Sequence, residues 1–218
     1  MFEIMFAKIK RKIKKAIYRQ LAPKELTPEE EAQRKRQEEY DYLVKNGVET
    51  ELGYVTLHGL PVIRKYPGSR IKMGKNVVLI SHPTVNLAGV NHPVIIATYS
   101  ADAEVILEDK VGMSGASINC VSRCVFKEGT MLGANVNVWD TDFHPIDPEK
   151  RVYQTSVREA ETAPITVGRN VWIGANSTVL KGVTIGDNTV VGTMSLVNKS
   201  LPANSVCAGI PAQKIRDL

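Results

Sequence analysis

Residues 167–203 decide the fold, and they read VGRNVW-IGANST-VLKGVT-IGDNTV-VGTMSL-VNKSLP-A when divided into groups of six. Every group begins with an aliphatic residue, and these are Val167, Ile173, Val179, Ile185, Val191 and Val197. Glycine follows in four of the groups, and a second small or medium-sized residue stands four places after the aliphatic one in five. A period of six is neither the helical nor the simple strand period, and it is typical of the hexapeptide repeat of a parallel β-helix.

In such a fold each group of six forms one short flat side of a coil. The aliphatic residue points into a narrow core, and Gly or Asn turns the corner where the backbone needs a positive φ. An α-helix over the same residues would have to include four glycines at about 1 kcal/mol each, which disfavours that interpretation. The sequence therefore predicts an all-β solenoid.

The period of six is less regular earlier in the chain. Ile71–Val77 forms a recognisable group, residues 81–102 interrupt the count, and one extra residue falls near Cys120. The step of six resumes at Leu107, Met113, Phe126, Leu132 and Val138. The first interruption is interpreted as a loop between two coils.

A second interruption begins at His144, where residues 144–165 carry no hexad and are rich in charge and proline. A long excursion from a regular solenoid is a usual place for function. The segment after Ala203 is expected to cover the open end of the solenoid, so that its last edge is not exposed. We therefore predict a β-helix domain over residues 51–218 that contains this protruding loop and a C-terminal cap.

The first 21 residues carry seven Lys/Arg against Glu3, so the rest of the chain sums to −1 although the whole has a net charge of +5. A nucleic-acid-binding surface is therefore not expected. Hydrophobic residues at spacings of three and four predict a helix with one apolar and one basic face. They are Phe2, Phe6, Ile9, Ile13, Ile17 and Leu21. Such a helix suits an anionic membrane surface, and packing against a neighbouring subunit is the open alternative.

Residues 1–50 are interpreted as a helical arm, in which a second, charged helix begins at Thr27-Pro28-Glu29-Glu30 and ends at Asn46-Gly47. We expect this second helix to be solvated. No apolar run fits a signal peptide or a membrane span, so the predicted location is cytoplasmic, with possible peripheral binding to the inner membrane face. The three cysteines, Cys120, Cys124 and Cys207, form no CxxC pair and are expected in the core.

His144 is the leading candidate for catalysis. It lies where a regular coil gives way to the loop, and histidine has the unperturbed pKa that suits a general base near neutral pH. Asp140 and Asp142 flank it, and either could hold one ring nitrogen and orient the other. His58, His82 and His92 are interpreted as structural or acceptor-lining.

Three segments, NVWIGANSTVLKGVTIGDNTVVG, DTDFHP and SVCAGIPAQKIR, together resemble the hexapeptide-repeat acyltransferases. Within that group the pattern is most similar to the galactoside/maltose, xenobiotic and bacterial polysaccharide O-acetyltransferases, over roughly residues 61–218. The resemblance implies a left-handed parallel β-helix, which departs from the usual right-handed crossover. It also implies a homotrimer with active sites between subunits and acetyl-CoA as the donor, without a metal.

The resemblance further implies roles for individual residues. The backbone N–H of Ala175, which follows Gly174 in the donor site, would stabilise the thioester oxygen as an oxyanion donor. Trp172 would border the donor and acceptor pocket. Thr193 and Asn198 would line the groove for the pantetheine arm.

Lys199 and Arg216 match the basic residues that the family uses for the CoA phosphates, where positive charge has an obvious purpose. The acceptor side would include Ser114, Trp139 and His92. Ser114 departs from the family, because the sugar acetyltransferases place an asparagine at the matching position. A hydroxyl cannot replace both the donor and the acceptor of an amide, so a maltose- or galactoside-type acceptor is in doubt.

These observations predict an acetyl-CoA-dependent O-acetyltransferase that acts on a sugar hydroxyl of a surface polysaccharide or its lipid-linked precursor. Transfer would be direct, with His144 as the general base. A catalytically silent scaffold is one alternative. A γ-type carbonic anhydrase is another, but it needs three histidines on zinc, normally with a His-x-x-x-x-His pair, and no two of the four histidines stand five apart.

Overall fold

The computed structural model describes Lys12 and residues 26–218. Apart from Lys12, the amphipathic segment predicted at residues 1–21 lies outside the described residues. The chain divides into two compact units, Met1–Lys35 and Arg36–Leu218. No helix among the described residues has both the length and the apolar character needed to cross a membrane.

Helix α1 spans Pro28–Lys45, close to the bounds that the sequence predicts. Thr27 and Glu30 cap its first turn reciprocally, since each backbone N–H donates to the other's side chain, at 2.8 and 3.2 Å. The expectation of a solvated helix is wrong for its last turns. Leu43 is 1% exposed and belongs to the core, and the Tyr42 hydroxyl donates to the carbonyl of Pro61.

Three parallel sheets form the body of the second unit. Sheet A contains β1 (Val48–Glu49), β4 (Arg70–Met73), β7 (Glu104–Leu107), β10 (Arg123–Phe126), β13 (Ile165–Val167) and β16 (Thr184–Ile185). Sheet B contains β2 (Val55–His58), β5 (Val77–Ile80), β8 (Gly112–Ser114), β11 (Met131–Leu132), β14 (Trp172–Ile173), β17 (Val190–Val191), β19 (Ser205–Gly209) and β20 (Ala212–Asp217). Sheet C contains β3 (Val62–Arg64), β6 (Ile95–Thr98), β9 (Ser117–Cys120), β12 (Asn137–Trp139), β15 (Thr178–Leu180) and β18 (Leu196–Val197).

From β1 to β18, successive strands belong to sheets A, B and C in turn, so each of these coils contributes one strand to every sheet. In the regular part, paired residues such as Val167 and Ile185, or Val179 and Val197, stand 18 positions apart, which is three groups of six. The structure confirms the predicted fold, a left-handed parallel β-helix. The strand Val48–Glu49 already pairs with β4, so the predicted boundary at residue 50/51 falls within the second unit.

The core is a column of aliphatic side chains inside the coils. The six residues that begin the hexads are at most 1% exposed, and the residues four places later are buried as well. Among these, Ser177 and Ser195 both donate to the carbonyl of Gly192, at 2.9 and 2.8 Å. The short polar residues are therefore tolerated in the core because the backbone satisfies their hydroxyl groups.

The hexad glycines have a different role from the predicted one. Gly168, Gly174, Gly186 and Gly192 do not adopt a positive φ. A Cβ atom on Gly174 would lie 2.6 Å from the backbone nitrogen of Thr193 in the next coil. These positions require glycine because the neighbouring coil passes too close for a side chain.

Asparagine provides the left-handed corners, as expected. Asn170, Asn188 and Asn204 have φ values of 52°, 60° and 53°, and they lie in successive coils. Their side-chain amides form a ladder, in which Asn170 donates to Asn188 at 3.3 Å and Asn188 donates to Asn204 at 2.7 Å. Each corner is thus tied to the next by a side chain as well as by the strands.

Two excursions leave the coils. Residues 81–94 lie between β5 and β6, and residues 140–164 lie between β12 and β13. The second contains helix α2 (Pro148–Val152) and a 3₁₀ turn (Val157–Glu159), and it is closed at its base by a bridge between Thr141 and Thr162. The predicted loop at 144–165 is therefore an ordered structure whose two ends lie side by side.

The C-terminal segment closes the solenoid, as predicted. Strand β19 adds to sheet B in parallel, and β20 folds back on it in the antiparallel direction. Cys207 and Ala212 complete the core at this end, and Cys120 and Cys124 are also fully buried, as expected.

Replacing Met194 by asparagine should stabilise the protein. Met194 has a φ of 54°, a left-handed conformation that is unfavourable for a residue of this kind, and its side chain is 67% exposed. Asparagine tolerates this conformation, so the free energy of unfolding should rise by about 0.5–1 kcal/mol. The reverse change is Asn176→Met, at φ 59° in the preceding coil, which should lower it by at least as much, because Asn176 also accepts a bond from the Asn135 amide at 3.2 Å. Urea titration of both variants checks this, and equal stabilities would contradict it.

Candidate active site

Asp140 stands at the point where the chain leaves the coil, and its side chain is fully buried. One carboxylate oxygen accepts the N–H of Val121 at 2.7 Å, and the other accepts those of Ser122 and Arg123 at 2.7 and 2.9 Å. The thiol of Cys120 lies 3.4 Å from the second oxygen. Burial raises the pKa of the Asp140 carboxyl, and the bonds from the backbone oppose this.

These bonds differ from the expected role of Asp140. Both of its oxygens serve the turn between β9 and β10, so they do not hold the imidazole of His144. The Asp140 carbonyl accepts the Thr162 hydroxyl at 2.8 Å and the Ala163 N–H at 3.0 Å. Asp140 therefore joins both ends of the excursion to the coil beneath it.

Asp142 is also engaged elsewhere. Its carboxylate forms an ion pair with Lys181 at 2.7 Å, and Glu161 lies 3.6 Å from the same ammonium group. The Asp142 carboxylate raises the pKa of Lys181. The pair ties the base of the excursion to the next coil, and it leaves no contact between Asp142 and the ring of His144.

His144 is exposed, and Nδ1 of its ring lies 2.7 Å from Oε1 of Gln154. Gln154 uses its amide nitrogen as well, which donates to the carbonyls of Phe143 and Ser156 at 2.7 and 2.8 Å. No bond joins the other ring nitrogen, Nε2, to a residue in the described part of the chain. Gln154 is the residue that sequence reasoning missed at this site.

An aromatic cluster lies directly beside His144. The ring of Phe143 packs edge-on against Trp139 and Tyr99, with centroids 5.7 and 6.3 Å away. Phe143 has a φ of 60°, a costly conformation for a bulky residue. Trp139, predicted to line the acceptor site, has a buried indole N–H without a partner among the described residues. The cluster holds the strained backbone from which His144 projects.

A cavity of about 580 Å³ lies within the excursion. It is lined by Pro145, Glu149, Lys150, Tyr153 and Glu159. The Glu159 side chain accepts hydrogen bonds from Thr155 and from the Ser156 N–H, and these bonds lower its pKa. The lining of the cavity therefore keeps the negative charge of Glu159 near neutral pH. Its volume is in the range of small-molecule pockets.

The predicted donor residues fall on another corner of the coils. Gly174 and Ala175 form the turn between β14 and β15, and Thr193 occupies the same corner one coil further. The Ala175 N–H forms no hydrogen bond within the described chain, so it is available as a donor. His144 follows the C-terminal end of β12, and Ala175 precedes the N-terminal end of β15. The two residues therefore lie at opposite strand ends of sheet C, and one chain does not bring them together.

The remaining predicted donor residues are exposed but dispersed. Trp172 is 51% exposed on sheet B, between Met131 and Val190. Asn198 and Lys199 are exposed just after β18, and Arg216 is exposed in β20. Each could contact a ligand from its present position, but they do not surround one pocket within the chain.

Ser114 and His92 meet at the first excursion rather than beside His144. The Ser114 hydroxyl accepts a bond from the side-chain amide of Asn86 at 2.9 Å, and His92 bonds the carbonyl of Pro93. The amide oxygen of Asn86 accepts the Ala88 N–H at 3.0 Å, so both ends of this amide are engaged within the excursion. Asn135 fixes this excursion through the Gly89 carbonyl and the Asn91 N–H.

Among the described residues, one cluster brings three metal-ligating atoms within 4.8 Å of one another, and it consists of Cys120, Cys124 and Asp140. The neighbouring thiol of Cys120 and burial raise the pKa of Cys124 well above its usual value. Both oxygens of Asp140 already accept backbone N–H groups. The cluster is thus a hydrogen-bonded part of the core, and no trio of histidines with zinc-binding proximity is found in the same part of the chain.

Comparison with known proteins identifies relatives of part of this chain. Residues 164–199 match the sequence family described as bacterial transferase hexapeptide (six repeats). This stretch of the chain is similar to the hexapeptide-repeat transferases. The members it resembles include the galactoside O-acetyltransferase of Escherichia coli K12, at 41% identity over 42% of either chain.

The E. coli K12 protein WcaF, provisionally named a colanic acid biosynthesis acetyltransferase, is 56% identical over 25% of this chain and 30% of its own. The chain thus spans less than half the length of these relatives. AntD, an N-acyltransferase from Bacillus cereus solved with dTDP and 3-hydroxybutyryl-CoA, matches 82% of this chain and 87% of its own with a TM-score of 0.55. At 17% identity this likeness bears on the fold alone.

Asp140→Ala should destabilise the protein by about 3 kcal/mol or more, because three backbone N–H groups lose their acceptor. The control is Asp142→Asn, which breaks a partly exposed ion pair and should cost less than about 1 kcal/mol. Urea denaturation of the two variants measures the difference. A similar loss in both would mean that the Asp140 bonds do not hold the turn.

Proposed function

We propose that this chain transfers an acetyl group from acetyl-CoA to a sugar hydroxyl. The observation that carries the proposal is the exposed imidazole of His144, held through Nδ1 with Nε2 open, on a fold of this transferase family. Galactoside O-acetyltransferase and WcaF, whose names refer to such chemistry, are similar over the repeats.

His144 would act as the general base, which takes the hydroxyl proton while the acceptor oxygen attacks the thioester carbonyl. The Ala175 N–H would donate to the oxygen that becomes negative. His144 would then return the proton to the departing sulfur. Cys120 and Cys124 are fully buried, so we propose direct transfer without an acetylated enzyme.

The donor would bind along the corner that carries Ala175, Gly174 and Thr193. The chain's features there suit a thioester ligand, since the Ala175 N–H has no partner within the described chain. Trp172 would border the acyl end and Asn198 the pantetheine arm. The exposed cations Lys199 and Arg216 would pair with the CoA phosphates.

A complete site would need more than one copy of the chain. His144 and Ala175 lie at opposite ends of sheet C, and a strand of that sheet separates them by about 10 Å or more. A second copy could place its Ala175 corner beside His144. We propose a homotrimer in which each site combines two chains.

The acceptor would bind on the side of the excursion. The cavity within the excursion has room for a sugar unit, and its lining begins at Pro145, the residue after His144. Trp139 would support this side through its packing against Phe143. Ser114 and His92 would contribute from a neighbouring copy. We propose a sugar of a surface polysaccharide or its lipid-linked precursor, with the basic segment 1–21 reaching an anionic membrane from the cytoplasm.

Turnover provides the test of the reaction. Free CoA should be released from acetyl-CoA only with an acceptor from a panel of sugars and glycolipids. His144→Ala should lower kcat by roughly 10²–10⁴ with little change in acetyl-CoA affinity. Val152→Ala, an exposed site in the same excursion, is the control and should behave as wild type. Near-normal turnover in His144→Ala would remove this residue from the mechanism.

The assembly has its own test. Light scattering should give a mass near three times the 24.0 kDa chain. A monomer with full turnover would contradict the shared site, because one chain separates the two halves.

A further inference from the structure

We infer that Gln154 is a positioning residue that fixes the neutral tautomer of His144, with the proton on Nδ1 and the lone pair on Nε2. The inference about the tautomer depends only on hydrogen bonds within the excursion. Its catalytic consequence rests on the proposed function, in which His144 is the base.

The orientation of the Gln154 amide is determined by its other two contacts. Its nitrogen lies 2.7 Å from the carbonyl oxygen of Phe143 and 2.8 Å from that of Ser156. Carbonyl oxygens only accept hydrogen bonds, so the NH₂ group must face them. A flipped amide would set its oxygen against two other oxygens and lose both bonds. The remaining group, Oε1, therefore has to face His144.

The tautomer follows from this orientation. Oε1 of Gln154 lies 2.7 Å from Nδ1 of His144, and an amide oxygen accepts but does not donate. Nδ1 must therefore carry a hydrogen, and in the neutral ring Nε2 then carries the lone pair. Nε2 is the atom without a partner in the described chain, so the nitrogen that is able to take a proton is also the accessible one.

The surrounding structure holds Gln154 in place. It lies between α2, capped by Asp147, and the 3₁₀ turn, where Ser156 and Glu159 form a capping box. The Phe143 carbonyl that it binds belongs to the strained residue clamped between Trp139 and Tyr99. The ring of His144 is therefore oriented by contacts within the excursion that two aromatic side chains of the coils support.

Gln154 also differs from the partner that sequence reasoning expected. A carboxylate on Nδ1 would favour the charged imidazolium, whereas a neutral amide orients the ring without adding charge. The two nearby carboxylates are engaged by Lys181 and by the backbone. The site thus orients its base through an uncharged residue.

The experiment measures the tautomer directly by ¹⁵N NMR of the imidazole rings in the full chain above the titration range. His144→Asn identifies the signal among the four histidines. Wild type should show a protonated Nδ1 and an unprotonated Nε2. Gln154→Met, which has no amide, should show a mixture of the two tautomers.

Ser156→Ala is the matched control, because it removes the side-chain cap of the 3₁₀ turn but keeps the carbonyl that Gln154 binds. It should retain the wild-type tautomer. A protonated Nε2 as the main form in wild type, or an unchanged tautomer in Gln154→Met, would overturn the inference. If Gln154→Met does not fold, the wild-type spectrum still decides.

Kinetics tests the consequence separately. Gln154→Met should lower kcat by about 10- to 100-fold with an unchanged KM for acetyl-CoA, a smaller loss than removal of the base. A fixed tautomer with no acetyl transfer in any assay would leave the inference intact and refute the proposed function. A normal kcat in Gln154→Met with a mixed tautomer would refute the positioning role.

Discussion

The parallel stacking of one coil on the next is the constraint from which the rest of this structure follows. Because neighbouring backbones bond strand to strand, the distance between coils is fixed near 4.8 Å. This distance leaves no room for a Cβ at Gly174, where the nitrogen of Thr193 passes 2.6 Å from its place. It also lets the Asn170–Asn188–Asn204 ladder form, since equivalent corners meet directly.

The same constraint determines where a site can be built. A coil with 18 residues has no spare length, so any group that must project has to lie in an insertion between strands. The chain has such an insertion after β12. Asp140 anchors it, because its buried carboxylate accepts hydrogen bonds from backbone N–H groups of the coil. The excursion is therefore attached to a coil whose own hydrogen bonds already hold it in place.

The fold could be read from the sequence because its signal is periodic. Six aliphatic positions at a fixed spacing specify the core, and all six are buried. The interpretation of the glycines failed because sequence shows which residue occurs at a corner, but not whether φ or a close neighbour requires it. The burial of Leu43 was missed because the charged helix shows no clear apolar stripe before its last turns.

The site was less predictable, since its contacts occur in an aperiodic segment. His144 was predicted as the base from its chemistry and position, but proximity in sequence favoured Asp140 and Asp142 as its partners. Gln154 lies ten residues away and reaches the ring only because α2 and the 3₁₀ turn fold the chain back. The Ser156–Glu159 capping box of the structure bounds this turn, but such a pattern does not identify the neighbouring glutamine.

The bridge between Thr141 and Thr162 brings the two ends of the excursion together, and both ends are bonded to the carbonyl or N–H groups of the coil. The intervening length is therefore a closed surface loop, and lengthening such a loop costs little because closure entropy grows only slowly with size. The segment between these two ends can therefore differ in sequence and length while the coils keep their register. Under the proposed function, acceptor choice would thus be separable from the stability of the solenoid.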